Sequence, residues 1–292
     1  MHRFAGLAVA AALSALSFQA ARADEKIPVV AAENFYAEMA TAIGGDQVSV
    51  KAVMSNPDQD PHLFETSPSV ARDISAARIV IYNGADYDPW AEKLVEAAKS
   101  NSRTVIVVAD LIGRKTGDNP HLWYDPATAP AVAKAIAAQL SAIDPAHAAD
   151  YASRLAAFDA TLKPIGDKVA AIRQKFAGQP VTATEPVFGY MAEALGLKMR
   201  NERFQLSVMN DTEPSAQDTA AFEQDLKDHK VKVLFYNSQV TDPQTDRLLA
   251  VAHEGGVAVV GVTETQPAGK SFSEWMLGEL DATEKALAGP SS

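Results

Sequence analysis

Short, unbroken apolar runs alternate along this chain with longer segments whose apolar positions recur every three or four residues. Ile27 to Ala32 is a Val-rich run with charge before it and Glu33-Asn34 after it, and it predicts a first buried strand. Phe35 to Ile43 has helical spacing and stops at Gly44-Gly45, a common C-terminal helix signal. Val48 to Met54 alternates as a second strand. Ser67 to Ala76 predicts a helix, Arg78 to Tyr82 a third strand ending at Asn83-Gly84, Pro89 to Ser100 a helix, and Thr104 to Val108 a fourth strand. Strands that alternate with helices predict parallel βα units.

After Asp125-Pro126 the pattern turns helical: Thr128 to Ala142 is Ala-rich, and a longer helix restarts at Asp144-Pro145 and runs towards Phe176. Pro164 within it predicts a kink or a division in two. From Pro180 the alternation returns. Strands are expected at Val181–Thr184, Val231–Tyr236 and Val257–Val262. Helices are expected at Val187–Leu195, Ser215–His229, Thr245–Glu254 and Phe272–Ala288. No short-period repeat, low-complexity tract or Gly/Ser linker breaks the chain. The fold class is therefore α/β, with an N-terminal lobe over 24–143, a rigid helical connector over 144–177 and a C-terminal lobe over 178–292.

Residues 1–23 read as a secretory signal. His2 and Arg3 precede an apolar run from Gly6 to Phe18, and Ala21-Arg22-Ala23 supplies the small-x-small cleavage pattern. The run is too short to span a bilayer comfortably, so the mature chain is expected to begin at Asp24 and to be exported. The 292 residues carry 26 Lys+Arg against 37 Asp+Glu, a net charge of -11, which becomes -13 once Arg3 and Arg22 leave with the signal. That acidic balance makes nucleic acid and anionic membrane poor general partners and suits a cationic ligand. Cysteine is absent, which excludes disulfides, thiolate metal sites, Cys nucleophiles and a lipidated N-terminal Cys.

Ligands of open parallel sheets bind in loops at the carboxyl ends of strands. Two such loops in the first half hold a histidine between proline and leucine, Pro61-His62-Leu63 and Pro120-His121-Leu122. Two in the second half end strands on a carboxylate, Thr184-Glu185-Pro186 and Thr263-Glu264-Thr265. Two neutral imidazoles and two carboxylates suit Mn²⁺, Fe²⁺ or Zn²⁺, and the lack of sulfur argues against Cu(I). The carboxylates would also cancel the charge of the ion and lower the cost of burying it. Taken singly, each residue has a plainer role: a hydrogen-bonded loop histidine, or an acid favouring a helix start. His147, His229 and His253 fall on predicted helices among charged neighbours and are expected at the surface.

The segments around these four residues resemble the TroA-like receptors of bacterial ABC importers for manganese and zinc, over essentially the whole mature chain. Asn56-Pro57-Asp58-Gln59-Asp60-Pro61-His62-Leu63-Phe64-Glu65 is similar to that family's first ligand turn. Asn119-Pro120-His121-Leu122-Trp123 is similar to its second, and Thr184-Glu185-Pro186-Val187-Phe188-Gly189-Tyr190 to its third. Glu264 stands where the family usually carries aspartate, one methylene shorter. The resemblance implies two lobes joined by a long helix and a metal site of His62, His121, Glu185 and Glu264. It also implies partnership with an ABC permease and its ATPase, and a monomeric carrier. The family's zinc receptors often hold a His-rich loop ahead of the second ligand. Here Leu111 to Asp118 is short and has no histidine, which together with Glu185 favours Mn²⁺ as cargo over Fe²⁺ and Zn²⁺. Affinity should fall as pH drops below about 6.5, because the imidazoles must bind in neutral form.

The rival readings are a secreted metallohydrolase and a related receptor for a haem or siderophore. No HExxH, GxSxG or Gly-rich phosphate loop supports an enzyme. A haem or siderophore cleft would call for aromatic or basic loops rather than acidic, imidazole-bearing ones. The expected function is therefore a periplasmic metal receptor with no catalytic residues.

Overall fold

The computed structural model describes residues 26–56, 64–210, 212–240 and 242–289. The first half runs β1 (Ile27–Glu33), α1 (Asn34–Gly44), β2 (Val48–Met54), α2 (Pro68–Ala76), β3 (Ile79–Tyr82), α3 (Pro89–Ala97), β4 (Thr104–Val107), α4 (Val108–Leu111) and α5 (Thr128–Ile143). The long helix α6 (Ala148–Phe176) follows. The second half runs β5 (Pro180–Ala183), α7 (Gly189–Ala194), β6 (Lys198–Arg200), α8 (Glu202–Met209), α9 (Ala216–Lys227), β7 (Val233–Asn237), α10 (Pro243–Glu254), β8 (Ala258–Val262) and α11 (Phe272–Ala288).

Each half builds one four-stranded sheet, ordered β2-β1-β3-β4 and β6-β5-β7-β8, and every pairing is parallel. Apolar runs without alternation are what such sheets need, because helices cover both faces. Successive side chains still point to opposite faces. Val29, Ala31, Ile79 and Ile81 join the main core, while Val30, Ala32, Val80 and Tyr82 pack in a satellite cluster under α2 and α3. The second sheet repeats the arrangement, with Val233 and Phe235 in the main core and Leu234 in an outer cluster with Phe222 and Leu248.

The main core is continuous through both halves, and α6 packs against α1 and α5 on one side and α11 on the other. Its buried positions Tyr151, Phe158, Ile165 and Ile172 recur every seven residues, which gives a single apolar stripe along its length. Pro164 does not divide it: the helix is continuous over its 29 residues, with the proline on an exposed face. The elements not anticipated include the short strand β6 and the helix α8. Neither has a long apolar run, and β6 is an edge strand that buries little.

The halves also match in sequence. Residues 79–111 and 233–265 align without a gap, pairing Tyr82 with Tyr236, Asn83 with Asn237, Asp88 with Asp242, Pro89 with Pro243 and Leu94 with Leu248. Pro28-Val29-Val30-Ala31-Ala32-Glu33 likewise aligns with Pro180-Val181-Thr182-Ala183-Thr184-Glu185. The strand register agrees, since Val29 pairs with Ile79 as Val181 pairs with Val233. This long-period duplication escapes a search for short repeats.

Candidate metal site

His121, Glu185 and Glu264 come together between the two halves, each offering one ligand atom within 4.8 Å of the others. His121 Nε2 lies 3.5 Å from Glu264 Oε2 and 3.9 Å from Glu185 Oε1. His121 and Glu264 are fully buried and Glu185 is 6% exposed. Glu185 and Glu264 each lie two residues beyond the ends of β5 and β8, so the sheet fixes where both chains emerge. Pro186 then starts a short 3₁₀ turn that carries the chain away from Glu185. His121 leads into a similar turn, Leu122–Tyr124, all of it buried.

Neighbouring side chains hold each of the three in place. Asn119 Oδ1 lies 2.7 Å from His121 Nδ1 and accepts the His121 backbone N–H at 3.1 Å. An acceptor at Nδ1 places the ring proton there and leaves Nε2 as a lone-pair donor, and Nε2 has no hydrogen-bond partner. The ring is flanked edge-on by Tyr87 and Trp123, at centroid distances of 6.2 and 5.4 Å. Asn237, the last residue of β7, donates from Nδ2 to Glu185 Oε2 at 3.2 Å and to Glu264 Oε1 at 2.5 Å. Gln239 Oε1 accepts the backbone N–H groups of Glu264 and Thr265 at 2.5 and 3.1 Å. Two carboxylates turned towards a lone-pair nitrogen in a buried setting form an electron-rich cluster suited to a divalent cation.

Bonds between the halves close the site. Asn119 Nδ2 donates to the Pro186 carbonyl at 2.7 Å, and Tyr190 Oη donates to the Asn119 carbonyl at 2.8 Å. Asn34 pairs with the backbone of Gln266 through Nδ2 at 2.8 Å and Oδ1 at 3.2 Å. Tyr124 Oη lies 2.7 Å from both the Thr263 carbonyl and Glu279 Oε2. Glu279 Oε1 in turn accepts from Trp275 Nε1 at 2.8 Å and from the Thr263 N–H at 3.2 Å. Burial pushes the Glu279 carboxyl up to about 7 despite these donors.

Of the four residues singled out in the sequence, His121, Glu185 and Glu264 converge, while His62 lies outside the described residues, as does the expected signal 1–23. The longer Glu264 side chain does not take its carboxylate out of the cluster. His229 and His253 are exposed, and His147 is half-buried against Asp144 at 2.6 Å. The sequence reading missed Asn119 and Asn237, although Asn237 ends a strand and the strand-end rule covers its loop as well.

A two-lobed α/β chain with a buried carboxylate–imidazole cluster between its lobes has the form of a solute-binding protein with a cation site. A model of the family described as the periplasmic zinc-uptake complex component A, ZnuA, matches residues 29–286, and the chain belongs to this family. The iron ABC transporter substrate-binding lipoprotein MtsA of Streptococcus pyogenes is 26% identical, covering 95% of this chain and 94% of that one. The manganese ABC transporter substrate-binding lipoprotein PsaA of Streptococcus mitis is 25% identical, covering 92% and 91%. The periplasmic zinc-binding protein TroA of Treponema pallidum shares the fold with a TM-score of 0.76 at 20% identity, over 90% of this chain and 99% of that one. The protein is thus the substrate-binding component of a metal ABC importer and not an enzyme.

Proposed function

We propose that the chain captures one divalent transition-metal ion, Mn²⁺ in preference to Fe²⁺ or Zn²⁺, and delivers it to the permease of its importer. His121 binds through Nε2, and Glu185 and Glu264 bind through carboxylate oxygens. His62 supplies the fourth ligand. The observation that carries this reading is the buried convergence of His121, Glu185 and Glu264. The preference for Mn²⁺ rests on two oxygen donors, which are harder than imidazole, and on the short histidine-free loop ahead of His121. Residues 1–23 act as a cleavable leader, and the mature chain works as a monomer in the periplasm. The relatives named for iron and manganese importers support the carrier role.

The test is calorimetry on chelator-stripped protein with Mn²⁺ and Zn²⁺ in separate titrations. One-to-one binding is expected for both, since nitrogen and oxygen sites generally prefer zinc in raw affinity. His121→Ala should weaken both by roughly 100-fold or more. Parental affinity in that variant would sink the proposed ligand set. Tight Zn²⁺ binding with negligible Mn²⁺ binding would overturn the metal preference alone.

A further inference from the structure

The side chain of Asn119 works in both lobes at once. Within its own lobe, Oδ1 lies 2.7 Å from His121 Nδ1 and accepts the His121 backbone N–H at 3.1 Å. Towards the other lobe, Nδ2 donates to the Pro186 carbonyl at 2.7 Å. An amide is one rigid plane with an acceptor on one side and donors on the other, so neither bond can turn without the other. The reverse orientation would set donors against the His121 backbone N–H and an oxygen against the Pro186 carbonyl. Both partners are backbone groups of fixed role, and together they force the orientation of the amide. The amide in turn fixes the ring. An oxygen at Nδ1 keeps the proton of neutral His121 there and the lone pair on Nε2, which faces Glu185 and Glu264.

The C-terminal lobe is shaped to receive this amide. Pro186 opens the 3₁₀ turn Pro186–Phe188, and Gly189 then starts α7. A Cβ on Gly189 would lie 2.8 Å from Asn119 Nδ2, too close to fit unless the amide moved. Gly189 has φ -57 and ψ -51, an ordinary helical backbone, so no conformational need calls for glycine there. What the position supplies is the space that the amide fills. Tyr190, the next residue, donates from Oη to the Asn119 carbonyl at 2.8 Å and so holds the backbone of Asn119 as well. Arg114 from the N-terminal lobe covers Tyr190 in turn, with its guanidinium 4.6 Å from the ring centroid.

Two further contacts make Asn119 the point of coupling. Asn83 Nδ2 donates to the Pro120 carbonyl at 2.8 Å, which ties the loop to its own lobe between Asn119 and His121. Among the described residues the His121 ring has one hydrogen-bond partner, Asn119, while Tyr87 and Trp123 meet it only edge-on. A ring with a single partner takes its orientation from that partner.

We propose that Asn119 is the positioning residue through which contact between the lobes sets the His121 ring, so that the metal ion is held while the amide is seated on Pro186 and Gly189 and is let go once the lobes part there. The proposal rests on the metal reading above. With the seat lost, the amide turns and the imidazole proton moves to Nε2 in a share of the molecules. An Nε2 that carries the proton has no lone pair for a cation. The binding-competent fraction falls, and apparent affinity falls with it. A membrane partner that draws the lobes apart therefore loosens the ion without touching it.

The test is a double-mutant cycle on the whole chain, read by stopped-flow chelator competition against the Mn²⁺-loaded protein. Asn119→Ala removes the bridge and the ring acceptor together and should weaken Mn²⁺ binding by about 10–100-fold, chiefly through faster release. Gly189→Ala adds one methyl in the other lobe, replaces no ligand, and should speed release several-fold. Combined with Asn119→Ala it should add nothing, because the methyl acts only by displacing the amide. The ring-nitrogen resonances of neutral His121 in the metal-free chain supply a readout that loose packing alone does not move. They should show the single Nδ1–H form in the parent and a mixture of the two forms in Gly189→Ala.

Rate increases that multiply in the double variant would overturn the proposal, since Gly189 would then act by another route. So would parental release from either single variant. Where the added methyl prevents folding, Tyr190→Phe makes the same test by deleting only the hydroxyl bonded to Asn119, and a parental rate with a single ring form there would equally overturn it. If the parent binds no Mn²⁺, the metal reading falls instead, and the ring form in parent and Gly189→Ala still decides whether the C-terminal lobe sets His121 through Asn119.

Discussion

Among single residues, Glu279 ties ionisation to the fold most directly. It sits in the core with Trp275 and the Thr263 N–H donating to one oxygen and Tyr124 against the other. Its carboxyl is raised from the usual 4.5 to about 7, so between those values the folded chain keeps a proton that the unfolded chain has lost. Folding stability must then fall as pH rises from 4.5 to about 7, and level off above. The loss is on the order of 3 kcal/mol at full ionisation. Glu279→Gln should remove that dependence. Its Oε1 can accept from Trp275 and Thr263, and its amide can donate to Tyr124 Oη, whose own proton goes to the Thr263 carbonyl. Denaturant unfolding at pH 5 and pH 8 checks this: the variant should lose less stability between the two than the parent, the remainder belonging to the other buried carboxyls, Glu33 and Asp88. A parallel slope in both proteins would show that Glu279 is not the titrating group.

At the scale of elements, α6 is the part whose sequence and structure diverge most. A proline in a helix interior removes one backbone donor and crowds the preceding turn, which predicts a break. The helix continues because Ile165 and the residues seven positions apart on its stripe pack against both lobes, and burial outweighs one missing bond. Pro164 itself is exposed. Pro164→Ala should therefore raise the unfolding free energy by about 1–2 kcal/mol, after allowance for the greater freedom of the unfolded chain. It should leave Mn²⁺ affinity unchanged, because a helix of about 43 Å is already stiff. A thermal scan with and without metal measures both. Unchanged stability would mean that the proline's ring contacts compensate for its missing donor.

On the scale of the molecule, the lobes are held together by a few polar contacts around a shared apolar core. Asn34 at the start of α1 is one of them, reaching across to both backbone groups of Gln266, while Glu38 on the same helix accepts from Gln266 Nε2 and the Phe272 N–H at 2.5 and 2.9 Å. Gln266 lies two residues beyond Glu264, so this contact fixes the loop that carries a proposed ligand. Asn34→Ala should speed hydrogen exchange at Gln266 and raise the metal dissociation rate several-fold, with little change in overall stability. Stopped-flow chelator competition reads the rate. An unchanged rate with faster exchange would show that the loop moves without carrying the ligand.

Much of this architecture is written locally. Buried parallel strands need uninterrupted Val, Ile and Ala, helices need spaced apolar residues and stop signals, and both features survive in a bare sequence as runs such as Ile79–Tyr82 and stops such as Gly44-Gly45. Strand-end chemistry is local too, so His121, Glu185 and Glu264 could be named from their loops. The edge strand β6, with only three residues and little burial, has no such signal. What no local pattern contains is which loops meet. His121 and Glu264 are far apart in the chain, and only the packing of two sheets against α6 and a common core brings Nε2 within 3.5 Å of Oε2. The contrast between Glu185 and Glu33 makes the same point. The two lie in matching sequence and register, yet Glu185 joins a cluster bracketed by the amide of Asn237, whereas Asn83, at the matching position in the first half, gives its amide to the Gly84 and Pro120 carbonyls and leaves Glu33 without it. Periodicity records what a residue needs from its immediate neighbours, whereas long-range contacts alone set its charge environment and so its chemistry.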